Sequence, residues 1–369
     1  MKTNRRDMVK LIGVGGAGLA MSAGRSIESE TGQSSRKQQF NMHGYAAPKL
    51  ETVRVGITGL GSRGSGTVAR LARIEGVEIR ALNDLIPEKV ERAVESLSQT
   101  SHRPDSYSGS EEAWKEVCER DDIDLLAITT PWPLHTPQAV YAMEQGKHVY
   151  TELPAALTIE QCWQLVETSE RTRRHCFQIA SDCHGGISAV LLNMVRRGYF
   201  GELIHGEGAY IHDRVSDQQR WTRDEFGWFG FRPWRLEQNI GKHGSLYPHH
   251  GLGPVAQMMD LNYGDQMDYL VSMSGADFTL GGKMRELAGG DEYWDPYVGR
   301  DFRGNMNTSV IRTKRGRTIV IQHDVSSPRP NVRFDMISGT KATFQSGPPR
   351  ISTGHEGWLS REEFDALVE

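Results

Sequence analysis

The sequence is short of several things, and each shortage removes a class of function. Its 369 residues include only four cysteines, Cys118, Cys162, Cys176 and Cys183, with no Cys-x-x-Cys spacing. A disulfide framework and a cysteine zinc site are therefore not expected, and the thiols read as buried apolar groups. Neither sign of charge dominates: 43 Lys and Arg stand against 47 Asp and Glu, which gives no electrostatic case for nucleic acid. The apolar run nearest the N-terminus, residues 11–23, is too short and glycine-rich to span a membrane, which takes ~20 apolar residues. No internal repeat is evident. The adjacent His249 and His250 tend to point apart and lack an Asp or Cys partner at ligand spacing, so no metal site is expected.

What is present is organised around residues 53–64, VRVGITGLGSRG, an apolar run that breaks into Gly59, Gly61 and Gly64 at Gly-x-Gly-x-x-Gly spacing. It reads as a strand, a tight turn and a helix start. Gly59 permits the turn, Gly61 lets a pyrophosphate approach the backbone, and Gly64 lets the helix pack on its strand. The N–H groups and positive dipole at the helix start, around Ser62 and Arg63, suit phosphate. A second strand over residues 77–82 ends in Asp84, placed to bind a ribose hydroxyl. No Arg directly follows it, which favours NAD over NADP.

Residues 4–23 carry Arg5 and Arg6 ahead of a small, apolar run, the layout of a twin-arginine export signal, followed by a Ser-, Gln- and Gly-rich linker. Residues 1–49 are thus expected to be signal and linker, and the protein to be periplasmic or secreted. Strand and helix then alternate through about residue 150, with one more unit to residue 179, which argues for a Rossmann-type parallel sheet over residues 50–185. The loop after the strand at residues 123–129 holds Trp132 and His135, at a carboxyl end where such sheets bind ligands.

The second half, residues 186–369, changes to α+β character. Residues 203–211, 269–274, 306–313, 317–324 and 332–338 read as antiparallel strands of an open, mainly antiparallel sheet, through which two copies could pair. Residues 213–254 form a long segment rich in Trp, Phe, Gly and His, too aromatic for disorder. It ends in Gly244-Ser245-Leu246-Tyr247-Pro248-His249-His250-Gly251, before a helix expected over residues 252–259. A His near a helix start is biased towards the neutral form that accepts a proton.

These residues carry a resemblance. The glycine turn, the Thr130-Pro131 loop with His135, Gly146-Lys147-His148-Val149 and Glu152-x-Pro154 resemble the Gfo/Idh/MocA oxidoreductases. More closely, TELPAALTIEQCWQLVETSERTRRHC, LNMVRRGYFGELIHGEGAYIHD, LYPHHGLGPVAQ and IQHDVSSPRP resemble glycoside hydrolase family 109, from about residue 53 to the end of the chain. The resemblance implies an NAD-dependent glycosidase acting on a terminal α-linked N-acetylgalactosamine. In the family's scheme hydride leaves C3 of the sugar for the nicotinamide, the proton on C2 is lost and the aglycone leaves C1. Water then adds and hydride returns, so NAD is recycled rather than consumed, unlike a two-carboxylate glycosidase.

The resemblance also implies site residues. Gly59, Gly61, Ser62, Arg63, Gly64, Asp84, Trp132, His135 and Glu152 fall at cofactor positions, and Arg235 at a substrate-binding position. Tyr247 and His250 match the catalytic Tyr-Pro-x-His, with His250 on the C3 hydroxyl proton and Tyr247 either helping at C2 or orienting the ring. Departures are informative. Leu153 stands where the superfamily's dehydrogenases carry a lysine that assists proton removal, which counts against net alcohol oxidation. In Ala180-Ser181-Asp182-Cys183-His184-Gly185-Gly186, His184 replaces a functional tyrosine, and Asn331 replaces another after Pro330. Both fall at sugar-facing positions and put the usual sugar in question, although a His still shuttles protons near neutral pH. The chain stops at Glu369, before the Gly-Gly-Met-Asp segment usual in the family, so its C-terminus is expected to be incomplete relative to the family. A sugar oxidoreductase with net NAD turnover and a non-catalytic NAD or sugar binder are the competing readings.

Overall fold

In a computed structural model, which describes residues 38–216, 221, 234–333 and 335–368, the glycine turn lies at the centre of a parallel sheet. The chain runs β1 (Val53–Thr58), α1 (Ser62–Leu71), β2 (Val77–Asn83), α2 (Pro87–Ser96), β3 (Asp105–Tyr107), α3 (Ala113–Glu119), β4 (Leu125–Ile128), α4 (His135–Glu144), β5 (His148–Thr151), α5 (Ile159–Thr172) and β6 (Cys176–Gln178). Among the described residues these strands form a six-stranded sheet in the order β3-β2-β1-β4-β5-β6, the doubly wound Rossmann arrangement. β1 and β4 pair in parallel, and the chain adds β2 and β3 on one side of them and β5 and β6 on the other, so their carboxyl ends border the crevice where such folds hold ligands. Apolar residues on both faces explain the burial: Val55 and Ile57 on β1 and Leu126 and Ile128 on β4 are shielded by helices on either side. β3 and α3 are additions that the sequence reading passed over, both being short.

The second half begins with α6 (Ser181–His184) and α7 (Gly186–Arg196), then β7 (Leu203–Ile211), α8 (Trp234–Glu237), α9 (Pro248–Met258), β8 (Met267–Ser274), α10 (Leu280–Ala288), β9 (Asn307–Thr313), β10 (Thr318–Asp324), β11 (Asp335–Gly339), β12 (Thr343–Ser346), β13 (Pro349–Ser352) and α11 (Arg361–Val368). The strands form a seven-stranded sheet among the described residues, in the order β13-β12-β11-β7-β10-β9-β8. One core lies between this sheet and the helices on it: Leu191 and Met194 of α7, Val255 and Met258 of α9 and Phe364 of α11 pack on Ile311, Ile319, Ile321 and Phe344. The opposite face stays open, with Tyr269, Val271, Met273 and Val310 exposed.

The sheet is mainly antiparallel, as expected, with one exception. β7 and β10 pair in parallel, with His323 opposite Tyr210, so the sheet is mixed although its other pairings are antiparallel. Alternation of side chains reports which face a residue takes but not the direction of its neighbour. The helix expected over residues 252–259 begins at Pro248, which occupies the first turn where its missing N–H costs nothing. The thiols are also less uniform than expected: Cys118 is buried, Cys176 and Cys183 are partly buried and Cys162 is exposed.

Candidate active site

The three glycines differ in what surrounds them, and each difference matches a separate requirement. Gly59 has φ +82, and a Cβ there would lie 2.6 Å from the Thr130 nitrogen, so β1 turns tightly against the loop after β4. A Cβ on Gly64 would lie 1.9 Å from the Gly59 carbonyl oxygen, so helix and turn touch through backbone. A Cβ on Gly61 would meet nothing within 4 Å: the space beside it is open. Gly61 caps α1 without any side-chain hydrogen bond, and Ser62 and Arg63 are exposed in the first turn. The uncapped N–H groups and the open space fit a pyrophosphate.

Asp84 follows β2 and faces that turn. Its Oδ2 accepts from the Leu60 N–H at 2.6 Å and its Oδ1 from the Ile86 N–H at 3.0 Å. The carboxylate is thus already at the glycine turn, where a ribose hydroxyl would meet it. His135 differs from its expected role. It is 1 % exposed, with Nδ1 2.8 Å from the Pro154 carbonyl and Nε2 2.7 Å from that of Thr130. Both ring nitrogens face main-chain carbonyls, one of which accepts the single N–H of the neutral ring, so His135 sits between the loops after β4 and β5 instead of reaching into the crevice. Burial lowers its pKa and the two carbonyls oppose that. Glu152, half-buried, lies on the same loop after β5 and faces His135 electrostatically.

Opposite these strand ends stands the start of α9. Gly208 of β7 and Gly251 of α9 are in backbone contact, since a Cβ on Gly208 would lie 2.1 Å from the Gly251 oxygen. That close approach seats the first turn of α9 on the end of β7. The rings there stack: His250 lies on Tyr210 at 4.3 Å with a 10° tilt and on Tyr247 at 5.2 Å with an 8° tilt. Tyr247 in turn meets Trp132 at 4.9 Å, which joins the helix start to the nucleotide-binding half. Leu153 is buried in the same apolar cluster as Trp132, Tyr210 and Tyr247. The position that carries a lysine in related dehydrogenases is therefore part of an apolar wall.

Arg235 on α8 covers this wall, 5.0 Å from the Trp132 ring and 5.7 Å from the Tyr247 ring. Burial pushes the Tyr247 hydroxyl up, while the charge of Arg235 and hydrogen bonds from Trp132 and Arg235 pull it back. A cleft lined by Trp132, Tyr210, Arg235, Asn239, Tyr247 and His323 opens beside the stack. Its lining is mainly apolar and aromatic, with Arg235 and Asn239 among its polar positions, and a flat aromatic surface of this kind suits the apolar face of a sugar.

His250 itself is 4 % exposed, and its Nδ1 is hydrogen-bonded to the Asp182 carboxylate. Asp182 also pairs with Arg333. Burial raises the Asp182 carboxyl, but the bond and charge of His250 and the charge of Arg333 outweigh it and leave the group below its ordinary value. His249, by contrast, is depressed to about 3 by burial and by the charge of His250, so it stays neutral as a packing neighbour. Asp335 is raised to about 7 by burial and by repulsion from Asp182, against the pull of Arg333.

The structure brings Tyr247, His250, Trp132, Leu153 and Arg235 together and leaves two expected residues at the edge. His184, the last residue of α6, is exposed, two positions from Asp182. Asn331 is exposed just before Arg333. Asp182, Arg333 and Tyr210 were not foreseen. The signal for Asp182 lay in the same departing segment as His184, but pairing across 68 positions cannot be read from spacing. Much of the aromatic segment, residues 217–220 and 222–233, falls outside the described residues.

Residues 53–179 match the NAD-binding Rossmann fold of an oxidoreductase family, Gfo/Idh/MocA, and residues 187–366 match the C-terminal domain of glycosyl hydrolase 109. A glycosyl hydrolase family 109 protein of Shewanella pealeana is 40 % identical over 368 residues, covering 99 % of this chain and 78 % of that protein. An alpha-N-acetylgalactosaminidase of Shewanella oneidensis is 40 % identical over 364 residues, 96 % of this chain and 76 % of that protein. Among solved structures, scyllo-inositol dehydrogenase from Lactobacillus casei with bound NAD(H) and scyllo-inositol aligns with a TM-score of 0.60. That match is 15 % identical, covers 86 % of this chain and 85 % of that one, and shows a shared fold.

Proposed function

This chain belongs to glycoside hydrolase family 109, within the Gfo/Idh/MocA superfamily, and from that premise we propose that it hydrolyses a terminal α-N-acetylgalactosaminide-like glycoside with NAD recycled in each cycle. The observation that carries this reading is the stack of Tyr247 and His250 on Tyr210, pressed against Trp132 and Leu153 at the cofactor side.

The cofactor is NAD, and Gly59, Gly61, Ser62, Arg63, Gly64 and Asp84 are the residues proposed to hold it. Bound there, it supplies a reversible hydride acceptor for C3 of the sugar. His250 accepts the C3 hydroxyl proton through Nε2, because Nδ1 is committed to Asp182. A ketone at C3 acidifies the proton on C2, and loss of that proton with departure of the aglycone from C1 leaves an unsaturated sugar to which water adds. Tyr247, a neutral phenol hydrogen-bonded by Trp132 and Arg235, orients the ring. His184, on the exposed rim beside Asp182, is the proposed acceptor of the C2 proton, and Asn331 the proposed contact to the sugar's outer edge. Leu153 keeps water and a competing base out of the site.

A panel of aryl α- and β-glycosides, including N-acetylgalactosamine and galactose forms, with aglycone release followed for the wild type and for His250→Ala, Tyr247→Phe and His184→Ala, tests the reading. Activity on none of them, or full activity in His250→Ala, refutes it. The twin-arginine layout of residues 4–23 supports export to the periplasm or beyond. The exposed apolar row of Tyr269, Val271, Met273 and Val310 supports pairing of two copies through the open sheet; a monomeric mass in solution would refute that pairing.

A further inference from the structure

Asp182 reaches His250 because α6 packs on α9 at a glycine. A Cβ on Gly253 would lie 2.7 Å from the Cys183 sulfur, so the turn carrying Asp182 lies directly against the helix carrying His250. The turn is held by its own bonds: the Ser188 hydroxyl donates to the Asp182 carbonyl at 2.7 Å, and the Cys183 N–H donates to the Ala180 carbonyl at 3.0 Å. The two carboxylate oxygens have separate partners, Oδ2 on His250 Nδ1 and Oδ1 on Arg333 Nη1. Arg333 is itself steadied over the Tyr210 ring at 5.5 Å.

We propose that Asp182 is a positioning residue for His250, fixing the imidazole as the Nδ1–H tautomer and stabilising the cation formed when Nε2 takes a proton from the substrate. This rests on the reading of His250 as proton acceptor given above. The proton moves from the sugar O3 to Nε2, and Asp182 remains a carboxylate throughout, its charge balanced by Arg333 before the transfer and shared with the imidazolium after it. Without a carboxylate at Nδ1, either ring nitrogen can carry the hydrogen, and the tautomer with Nε2–H cannot accept. Stacking on Tyr210 and Tyr247 fixes the plane of the ring but leaves the tautomer open, so the carboxylate adds something that packing does not.

Other charged and titratable groups face this pair from every side. Asp335 and Arg333 lie on the β11 side, His249 on α9 and Tyr247 just before it, Tyr210 on β7 and His212 just after it, His323 on β10 and Cys183 beside Asp182 on α6. Asp335 is protonated below about 7, so Asp182 is the anion in direct contact with His250. His323 is pushed far down by burial and stays neutral. Asp182 is thus the anion that meets His250 Nδ1, with Arg333 on its other oxygen.

The test uses the NAD-loaded enzyme with Asp182→Asn and Asp182→Glu, alongside 15N NMR of the His250 imidazole, which distinguishes the Nδ1–H from the Nε2–H tautomer. Asp182→Asn is expected to lower kcat at least 10-fold with KM and NAD affinity within about 2-fold of wild type, since general-base contributions run to 10²–10⁴-fold. Its imidazole 15N spectrum is expected to show a mixture of the two neutral tautomers in place of the Nδ1–H form. Asp182→Glu, which keeps the charge on a longer arm, is expected to recover part of kcat and most of the Nδ1–H form. An unchanged tautomer and unchanged kcat in Asp182→Asn would overturn the proposal. Should His250→Ala retain full activity, the reading of His250 itself fails; should His250→Ala be inactive and Asp182→Asn unaffected, only the positioning role fails.

Discussion

Gly208 and Gly251 meet backbone to backbone, and this contact is what holds the first turn of α9 on the end of β7. The ring stack follows from it: Tyr210 lies two residues beyond Gly208 on the same face of β7, and His250 precedes Gly251. Gly208→Ala would therefore push helix from strand. Overpacking of this kind costs ~1–3 kcal/mol, so a lower thermal midpoint is expected, with kcat falling more than NAD affinity. Melting curves and steady-state kinetics on the same preparation check both.

Gly61 and Gly64 separate cofactor binding from folding. A methyl on Gly61 enters open space at a φ of −67 that alanine tolerates, so Gly61→Ala should melt within a degree or two of wild type. The same methyl occupies the place proposed for the pyrophosphate, and NAD should bind ~10-fold or more weakly, in line with the cost of overpacking. Gly64→Ala has no such room, with a Cβ 1.9 Å from a carbonyl oxygen, and should lose stability outright. Calorimetric NAD titration with thermal melts distinguishes the pair.

Asp335 makes folding stability depend on pH. Its carboxyl is raised from an ordinary 3.8 to about 7, so between those values the folded chain holds a proton that the unfolded chain has released. Stability conferred by this group is present at low pH, declines as pH rises from about 4 to about 7, and is flat above. Asp335→Asn removes the dependence. The variant should gain stability relative to wild type across that window, as denaturant unfolding at pH 4.5, 6 and 7.5 would show; a constant difference would mean that Asp335 titrates normally.

Export can be examined separately from catalysis. Replacing Arg5 and Arg6 by lysine in the full-length chain is expected to retain the protein inside the cell, and fractionation of an expressing host reads the outcome. Unchanged delivery to the periplasm would refute twin-arginine export.

Much of the nucleotide-binding half was legible in the sequence because its determinants are local. Gly59, Gly61, Gly64 and Asp84 sit at fixed offsets along one strand-turn-helix, and each offset has a single physical reason. Leu153 was legible too, as a side chain that cannot take a proton. The catalytic half was less so. Pro248 was a readable helix start that gave way to the stronger apolar spacing of Val255 and Met259, and the parallel pairing of β7 with β10 leaves no trace in either strand. The ligand-facing loop marks His135 as a cofactor contact, yet both of its nitrogens face main-chain carbonyls. Asp182 and Arg333 meet across 151 positions, a relationship that only the folded chain contains.

In the proposed reaction, hydride is borrowed and returned while a glycosidic bond is cleaved. The direct measurement follows aglycone and NADH together for the NAD-loaded enzyme with an aryl α-N-acetylgalactosaminide in deuterated water, then locates deuterium in the sugar released. The expected result is many aglycones per enzyme, no net NADH and deuterium at C2. NADH rising in step with sugar consumed, or protium retained at C2 during turnover, would contradict it.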